Sequence, residues 1–140
     1  MKKLLGLFLF FPMLVNAESW NVIPHRVIDG DTFKVNIPNM PAVFGHDLSI
    51  RIAGIDTAPI RYQKCLNEAK WGEAARDELR RILNEAKIIE LKNMERGKFF
   101  RVVADVYADG ANVGDLLMIK GLAMPYDGNG DKPNWCKKAY

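Results

Sequence analysis

The spacing of hydrophobic and polar positions changes character several times along the chain. Residues 22–28 are rich in Val and Ile, and Thr32, Phe33, Val35 and Ile37 continue as a second extended run. Asp29-Gly30 between them is a strong turn signal, so the two runs read as paired strands. Residues 38–47 hold two prolines, a glycine, Asn39 and Asp47, the composition of a loop. Over 48–55, Leu48, Ile50 and Ile52 alternate with Ser49 and Arg51, which predicts a third strand. Between 66 and 86 the period lengthens. Ala75, Leu79, Ile82, Leu83 and Ala86 fall at helical spacing, and Asp77 and Arg81 are set for an i, i+4 pair. Strand character returns at 87–91, 94–98 reads as a charged turn, and 99–107 reads as a fifth strand containing Phe99, Arg101, Ala104 and Tyr107. Asp109-Gly110 closes it, and a short helix is expected over 113–121 with Gly121 as its cap.

Three strands, a long helix and two more strands is the element order of an OB fold, a five-stranded, partly open barrel. The expected class is α+β, mainly β: a five-stranded OB-fold barrel with one long helix and a short second one. In so small a barrel the aromatic residues Trp20, Trp71, Trp135, Phe33, Phe99 and Phe100 are expected in the core. His25 and His46 show no metal-ligand spacing and are expected on the surface or in loops.

The start of the chain stands apart from this pattern. Lys2 and Lys3 precede an apolar run over 4–15, and Val15-Asn16-Ala17 suits a signal peptidase. At about 12 residues the run falls well short of the roughly 20 that span a bilayer. Residues 1–17 therefore read as a secretory signal and 18–140 as one domain, secreted or periplasmic, with no stable membrane association after cleavage. Among the 140 residues the formal charge is +3, and it falls to +1 once Lys2 and Lys3 are removed. Attraction to a polyanion must then come from where charges sit, not from their sum. The two cysteines, Cys65 and Cys136, suggest a disulfide in an oxidising compartment. Closing a loop of about 70 residues contributes about 4 kcal/mol in the chain-entropy model. A metal pair is the alternative, but it lacks nearby His or Cys partners.

Asp31 follows a tight turn, Asp56-Thr57 follows the third strand, Arg51 lies five residues before Asp56, and Arg101 lies in the fifth strand. Singly, each has a plainer reading: a hairpin turn, a loop cap, a solvated strand face. Together they are more specific. Carboxylates suit a hard cation such as calcium, which takes six to eight oxygen ligands. Guanidinium groups bind phosphate bidentately. A metal with two arginines is what phosphodiester hydrolysis needs.

Val27-Ile28-Asp29-Gly30-Asp31-Thr32, Arg51-Ile52-Ala53-Gly54-Ile55-Asp56-Thr57, Arg101 with Val106-Tyr107-Ala108-Asp109-Gly110, and Gly121-Leu122-Ala123 resemble, in order and spacing, the signature blocks of the micrococcal (staphylococcal) nuclease family. The resemblance implies an OB fold, calcium, and cleavage of DNA and RNA. Single-stranded DNA or RNA is the favoured partner, and a monomer is expected. It assigns Asp31, Asp56 and the Thr57 carbonyl to calcium, Arg51 and Arg101 to the scissile phosphate, and Lys98 and Tyr126 to nucleotide contacts. One departure matters. The family's Asp-Thr-Pro-Glu block ends in its proposed general base, whereas here the block is Asp56-Thr57-Ala58-Pro59, with Pro59 at the glutamate position. The next carboxylates are Glu68 and Glu73, and the macrodipole explains a glutamate at a helix start. Phe99 stands where relatives often carry a tyrosine, and the tail leaves little room for the family's final helix. The alternative function is a non-catalytic OB module that binds nucleic acid or another polyanion. A weaker third is an envelope adaptor with a vestigial site.

Overall fold

The computed structural model describes residues 18–140. The expected signal, 1–17, lies outside them. Strands β1 (Ser19–Asp29) and β2 (Thr32–Asn36) form a hairpin in which Asp29 pairs with Thr32, so the connecting residues are Gly30 and Asp31. A Cβ on Gly30 would lie 2.5 Å from the Cβ of Ala75. Glycine here lets the long helix close onto the hairpin.

The stretch expected as loop holds one helical turn, α1 (Ala42–Gly45), entered from Pro41, a residue preset for a first turn. β3 (Leu48–Ile52) ends before its expected limit, because the chain reverses at Gly54 (φ 74°) into β4 (Ile55–Asp56). The long helix α2 (Leu66–Glu85) buries Gly72, Ala75, Leu79, Ile82 and Leu83 along one face. Its charged face pairs differently from expectation. Asp77 takes Arg76 at 3.2 Å and Arg80 at 2.8 Å, while Arg81 bridges Glu78 and Glu85.

β5 (Ile89–Arg96) runs further than its apolar residues suggest, through an irregularity between Lys92 and Glu95 with Asn93 at φ 50°. The charged residues expected in a turn are therefore partly in the strand. β6 (Val102–Ala108) starts later than expected. Phe99 and Phe100 adopt left-handed conformations (φ 57° and 56°) in the connection, so Arg101 precedes the strand instead of lying within it. Both phenylalanines are outside the core, 92% and 84% exposed, a correction to their expected burial. Phe33 and Trp135 are buried, and Trp20 and Trp71 are partly so.

Asp109 and Gly110 (φ 47° and 86°) turn β6 into β7 (Ala111–Asn112). Positive φ at both central residues matches a type I′ turn. The short helix α3 (Val113–Ile119) starts on the Asn112 side chain and ends at Gly121 (φ 70°), where Leu122 N–H donates to the Leu117 carbonyl at 2.9 Å, a C-terminal cap of the expected kind. A last strand, β8 (Met124–Pro125), pairs with β4.

The main sheet runs β3-β2-β1-β5-β6-β7, and a parallel β3–β6 pairing closes five of these strands into a barrel. This is the OB topology that the element order predicts. Phe33, Val35, Ile50, Leu91, Ala104 and Val106 fill the barrel, with Leu79 from α2 and Val113 and Leu117 from α3 at its end. No helix of the described residues is long and apolar enough to cross a membrane.

One surface contact joins the two longer helices. Glu78 accepts from Arg81 at 2.6 Å and from Lys120 at 2.8 Å. The Arg81 hydrogen bond, with Lys120 behind it, draws the Glu78 carboxyl from 4.5 down to about 2. A carboxylate depressed in the folded state stabilises the fold above its unfolded pKa and loses that contribution as pH falls through the folded value. Because both cations are half exposed, screening reduces the contribution to about 1 kcal/mol. Glu78→Gln is expected to cost about that much in urea unfolding at pH 7, with the two proteins converging as pH falls from 4.5 to about 2. Equal stabilities at pH 7 would contradict the contact.

Candidate functional site

Strand pairing places the site. Thr32 pairs with Arg51 across β2–β3, which puts Asp31, at the hairpin end, beside the Arg51 side chain. Arg51 pairs in turn with Val103 of β6. Arg101 lies just before β6, and it lines the same cavity as Val103 and Arg51. The reversal at Gly54 then carries Asp56 and Thr57 back over Arg51. These residues open onto one cavity of about 1300 Å³ lined by Asp31, Arg51, Asp56, Thr57, Lys98, Arg101 and Tyr126. All seven side chains singled out from the sequence thus face a common space. Neither histidine lines it. His25 instead meets Asp47 at 3.3 Å on the surface.

The centre is a buried charge cluster. Asp31 and Asp56 are 6% and 2% exposed. Asp31 accepts from the Thr32 hydroxyl at 2.8 Å on Oδ1, and from the Thr57 amide and hydroxyl, both at 3.1 Å, on Oδ2. Arg51 Nη1 sits against the same Oδ2 as a charge contact without hydrogen-bond alignment. Its Nη2 donates to the Ile55 carbonyl at 3.0 Å and reaches Asp56 Oδ1 at 3.4 Å. A buried charge persists only when paired, and here each acid has Arg51 beside it. Arg101 differs: its Nε is buried with no hydrogen-bond partner among the described residues. A donor left this way calls for a ligand or water. Nearby Asp29 is half-buried, and desolvation, followed by the charge of Asp31, raises its pKa above the usual aspartate value.

Two contacts on Asp56 come from the C-terminal tail and have no counterpart in the sequence reading. Lys132 Nζ lies 2.9 Å from Oδ1, and the Trp135 indole N–H donates to Oδ2 at 3.1 Å. The tail reaches this point because Cys65 and Cys136 are joined, with Cα atoms 5.9 Å apart. The only sequence signal was the adjacency of Trp135 to Cys136.

Glu68 and Pro59 occupy the wall beside the acids. Ala58 and Pro59 lie against α2: a Cβ on Gly72 would meet the Pro59 carbonyl oxygen at 2.7 Å and that of Ala58 at 3.0 Å. Glu68 is buried, and its Oε2 accepts from Lys64 N–H at 2.6 Å while Cys65 Sγ accepts from Glu68 N–H at 3.5 Å. These two contacts cap the first turn of α2, and among the described residues no hydrogen bond reaches the other carboxylate oxygen.

Comparison with known proteins shows the family of the chain. A family model described as "Staphylococcal nuclease homologue" matches residues 49–138. The chain belongs to the staphylococcal nuclease family. Endonuclease YncB of Bacillus subtilis (strain 168) is 35% identical over 106 residues, covering 74% of this chain and 46% of that protein. SPbeta prophage-derived endonuclease YokF of the same organism is 32% identical over 109 residues, 76% of this chain and 34% of that protein. Staphylococcal-like nuclease CAN1 of Arabidopsis thaliana is 25% identical over 118 residues, 82% of this chain and 34% of that protein. This member of the staphylococcal nuclease family therefore spans less than half the length of these relatives. The family match covers Arg51, Asp56, Thr57, Arg101 and both cysteines, and Asp31 lies upstream of it.

Proposed function

We propose that the protein is an exported, calcium-dependent nuclease that hydrolyses phosphodiester bonds of DNA or RNA. The observation that carries this reading is one cavity holding two buried carboxylates, Arg51 between them, and the unpartnered Arg101 Nε on the same wall. The names of the relatives as endonucleases and nucleases support it.

The donors suit calcium. Asp31, Asp56 and the Thr57 carbonyl are hard oxygen ligands, and Asp56 Oδ1 already attracts the ammonium of Lys132 at 2.9 Å, a stand-in for a cation. Lys132 is largely exposed on a long side chain and is free to leave. Calcium bound there supplies Lewis-acid polarisation of a phosphate oxygen and orients water. The side chains do the rest. Arg51 and Arg101 grip the non-bridging phosphate oxygens and neutralise the charge that grows on them as the water oxygen bonds to phosphorus and the bridging P–O bond breaks. The products are a phosphate monoester and a free hydroxyl. Pro59 cannot accept the proton of the attacking water, so the rate is expected to lie below that of a relative with an acid there, by up to the ~10²–10⁴-fold a general base contributes. The same proline favours a second reading, a module that holds nucleic acid without cutting it. Export is supported by the apolar start of the chain and by the joined cysteines, which belong to oxidising compartments.

Phe99 and Phe100 support single strands as substrate. They are exposed and lie in the chain between Lys98 and Arg101, both of which line the cavity. Aromatic faces beside cationic groups stack unpaired bases, at about 1–3 kcal/mol per base. Paired bases offer no such face.

Cleavage of single-stranded DNA by the purified protein is expected with calcium and not with a chelator. Arg101→Ala is expected to lower kcat by about 10²–10³-fold, and Arg51→Lys, which keeps charge but loses the planar fork, by a similar factor. Intact DNA at high protein concentration in calcium would exclude the enzyme and leave the binding module. Fluorescence anisotropy in chelator isolates the aromatic pair. The double variant Phe99→Ala with Phe100→Ala is expected to weaken single-strand binding about tenfold while duplex binding changes little. Equal losses on both substrates would remove the single-strand argument.

A further inference from the structure

The tail that closes over the cavity does more than cover it. Trp135 is 1% exposed and Asp56 is 2% exposed, and the hydrogen bond between indole N–H and Oδ2, 3.1 Å, is buried. We propose that Trp135 is a positioning residue for Asp56: its indole N–H holds one carboxylate oxygen so that the other is turned toward the cavity, where the cation binds. This inference rests on the calcium-nuclease reading and extends it to a residue 79 positions further along the chain.

The two oxygens of Asp56 have separate surroundings. Oδ2 meets the neutral indole donor, whereas Oδ1 meets two positive groups, Lys132 at 2.9 Å and Arg51 at 3.4 Å. Of an aspartate's two side-chain torsions, rotation about Cβ–Cγ decides how the carboxylate oxygens face a ligand. A charge-assisted hydrogen bond to one oxygen fixes that rotation. Outer donors that orient a metal ligand in this way typically matter by about 10–100-fold in metal affinity or rate.

Trp135 is itself held on three sides. Cys136, the next residue, is bonded to Cys65 at the start of α2. Asn67 Nδ2 donates to the Cys136 and Lys138 carbonyls at 3.3 and 3.2 Å. The ring of Trp71 lies 6.2 Å from that of Trp135, and the Lys138 ammonium sits 5.0 Å from the Trp135 ring. α2 is thereby the frame against which Asp56 is aimed, through a tail that joins it covalently. A side chain kept only for packing needs no donor pointed at a buried acid. Phenylalanine would fill most of the same space.

Trp135→Phe separates the donor from the ring. The metal-free protein is observed first, by the indole N–H resonances of its three tryptophans. The resonance missing in Trp135→Phe belongs to Trp135, and it is expected to shift in Asp56→Asn while the other two stay in place. A Trp135 resonance indifferent to Asp56→Asn overturns the proposal whatever the enzyme does. In the second arm, Trp135→Phe is expected to melt as one cooperative unit, to bind calcium about tenfold more weakly in calorimetry, and to lose about tenfold in kcat with KM for DNA within twofold. Calcium affinity and kcat at wild-type level in the folded variant overturn it equally. A wild-type protein that neither binds calcium nor cuts DNA defeats the nuclease reading instead, and the resonance experiment still decides whether the indole holds Asp56.

Discussion

Two carboxylates that are nearly sealed from water must have cations beside them, and this constraint organises the molecule around the cavity. Leaving a buried charge unpaired costs about 3–5 kcal/mol. Asp31 on the β1–β2 turn and Asp56 on β4 are brought to Arg51 of β3, so one guanidinium ties three parts of the chain. A fold selected for stability alone is served as well by apolar residues at such a place. Retaining two acids and an arginine there points to a ligand that needs them. The unpartnered Arg101 Nε adds a fourth group on the same wall whose hydrogen bond the protein itself does not complete.

The tail answers a second constraint. A terminal segment is held weakly unless it is tied down, and the last helical element described is a three-residue turn, Trp135–Lys137. Here the Cys65–Cys136 bond and the contacts of Asn67 and Trp71 hold it on α2. The covalent link therefore has a local consequence beyond global stability: it brings Lys132 and Trp135 to Asp56.

Much of the fold was legible from period alone. The alternation of Ile50 and Ile52 and the helical spacing of Leu79, Ile82 and Leu83 reflect burial on one face, which is what such patterns record. The departures came from backbone signals that residue type does not carry. Asn93, Phe99 and Phe100 take left-handed conformations, ordinarily rare for residues of their kind. They lengthen one strand, delay the next and expel two phenylalanines that a hydrophobic count assigns to the core. In the site, Asp31, Arg51, Asp56, Thr57 and Arg101 stood out because their types share a chemistry and their turns and strands bring them together. Lys98 and Tyr126 came only from the family resemblance. Lys132 and Trp135 were invisible because a contact made 76 and 79 residues away leaves no local pattern. Glu68 was explained by its helix start, and it does cap that turn, yet the fold also sets it in the cavity wall.

The paired acids are predicted to form a cation site. Isothermal titration of calcium into the wild-type protein and into Asp31→Asn, without nucleic acid, tests it most directly. One ion per chain is predicted for the wild type, with affinity at least about tenfold lower once one carboxylate is neutralised. No calcium heat in the folded wild type, or the same affinity in both proteins, would show that Asp31 and Asp56 serve Arg51 alone.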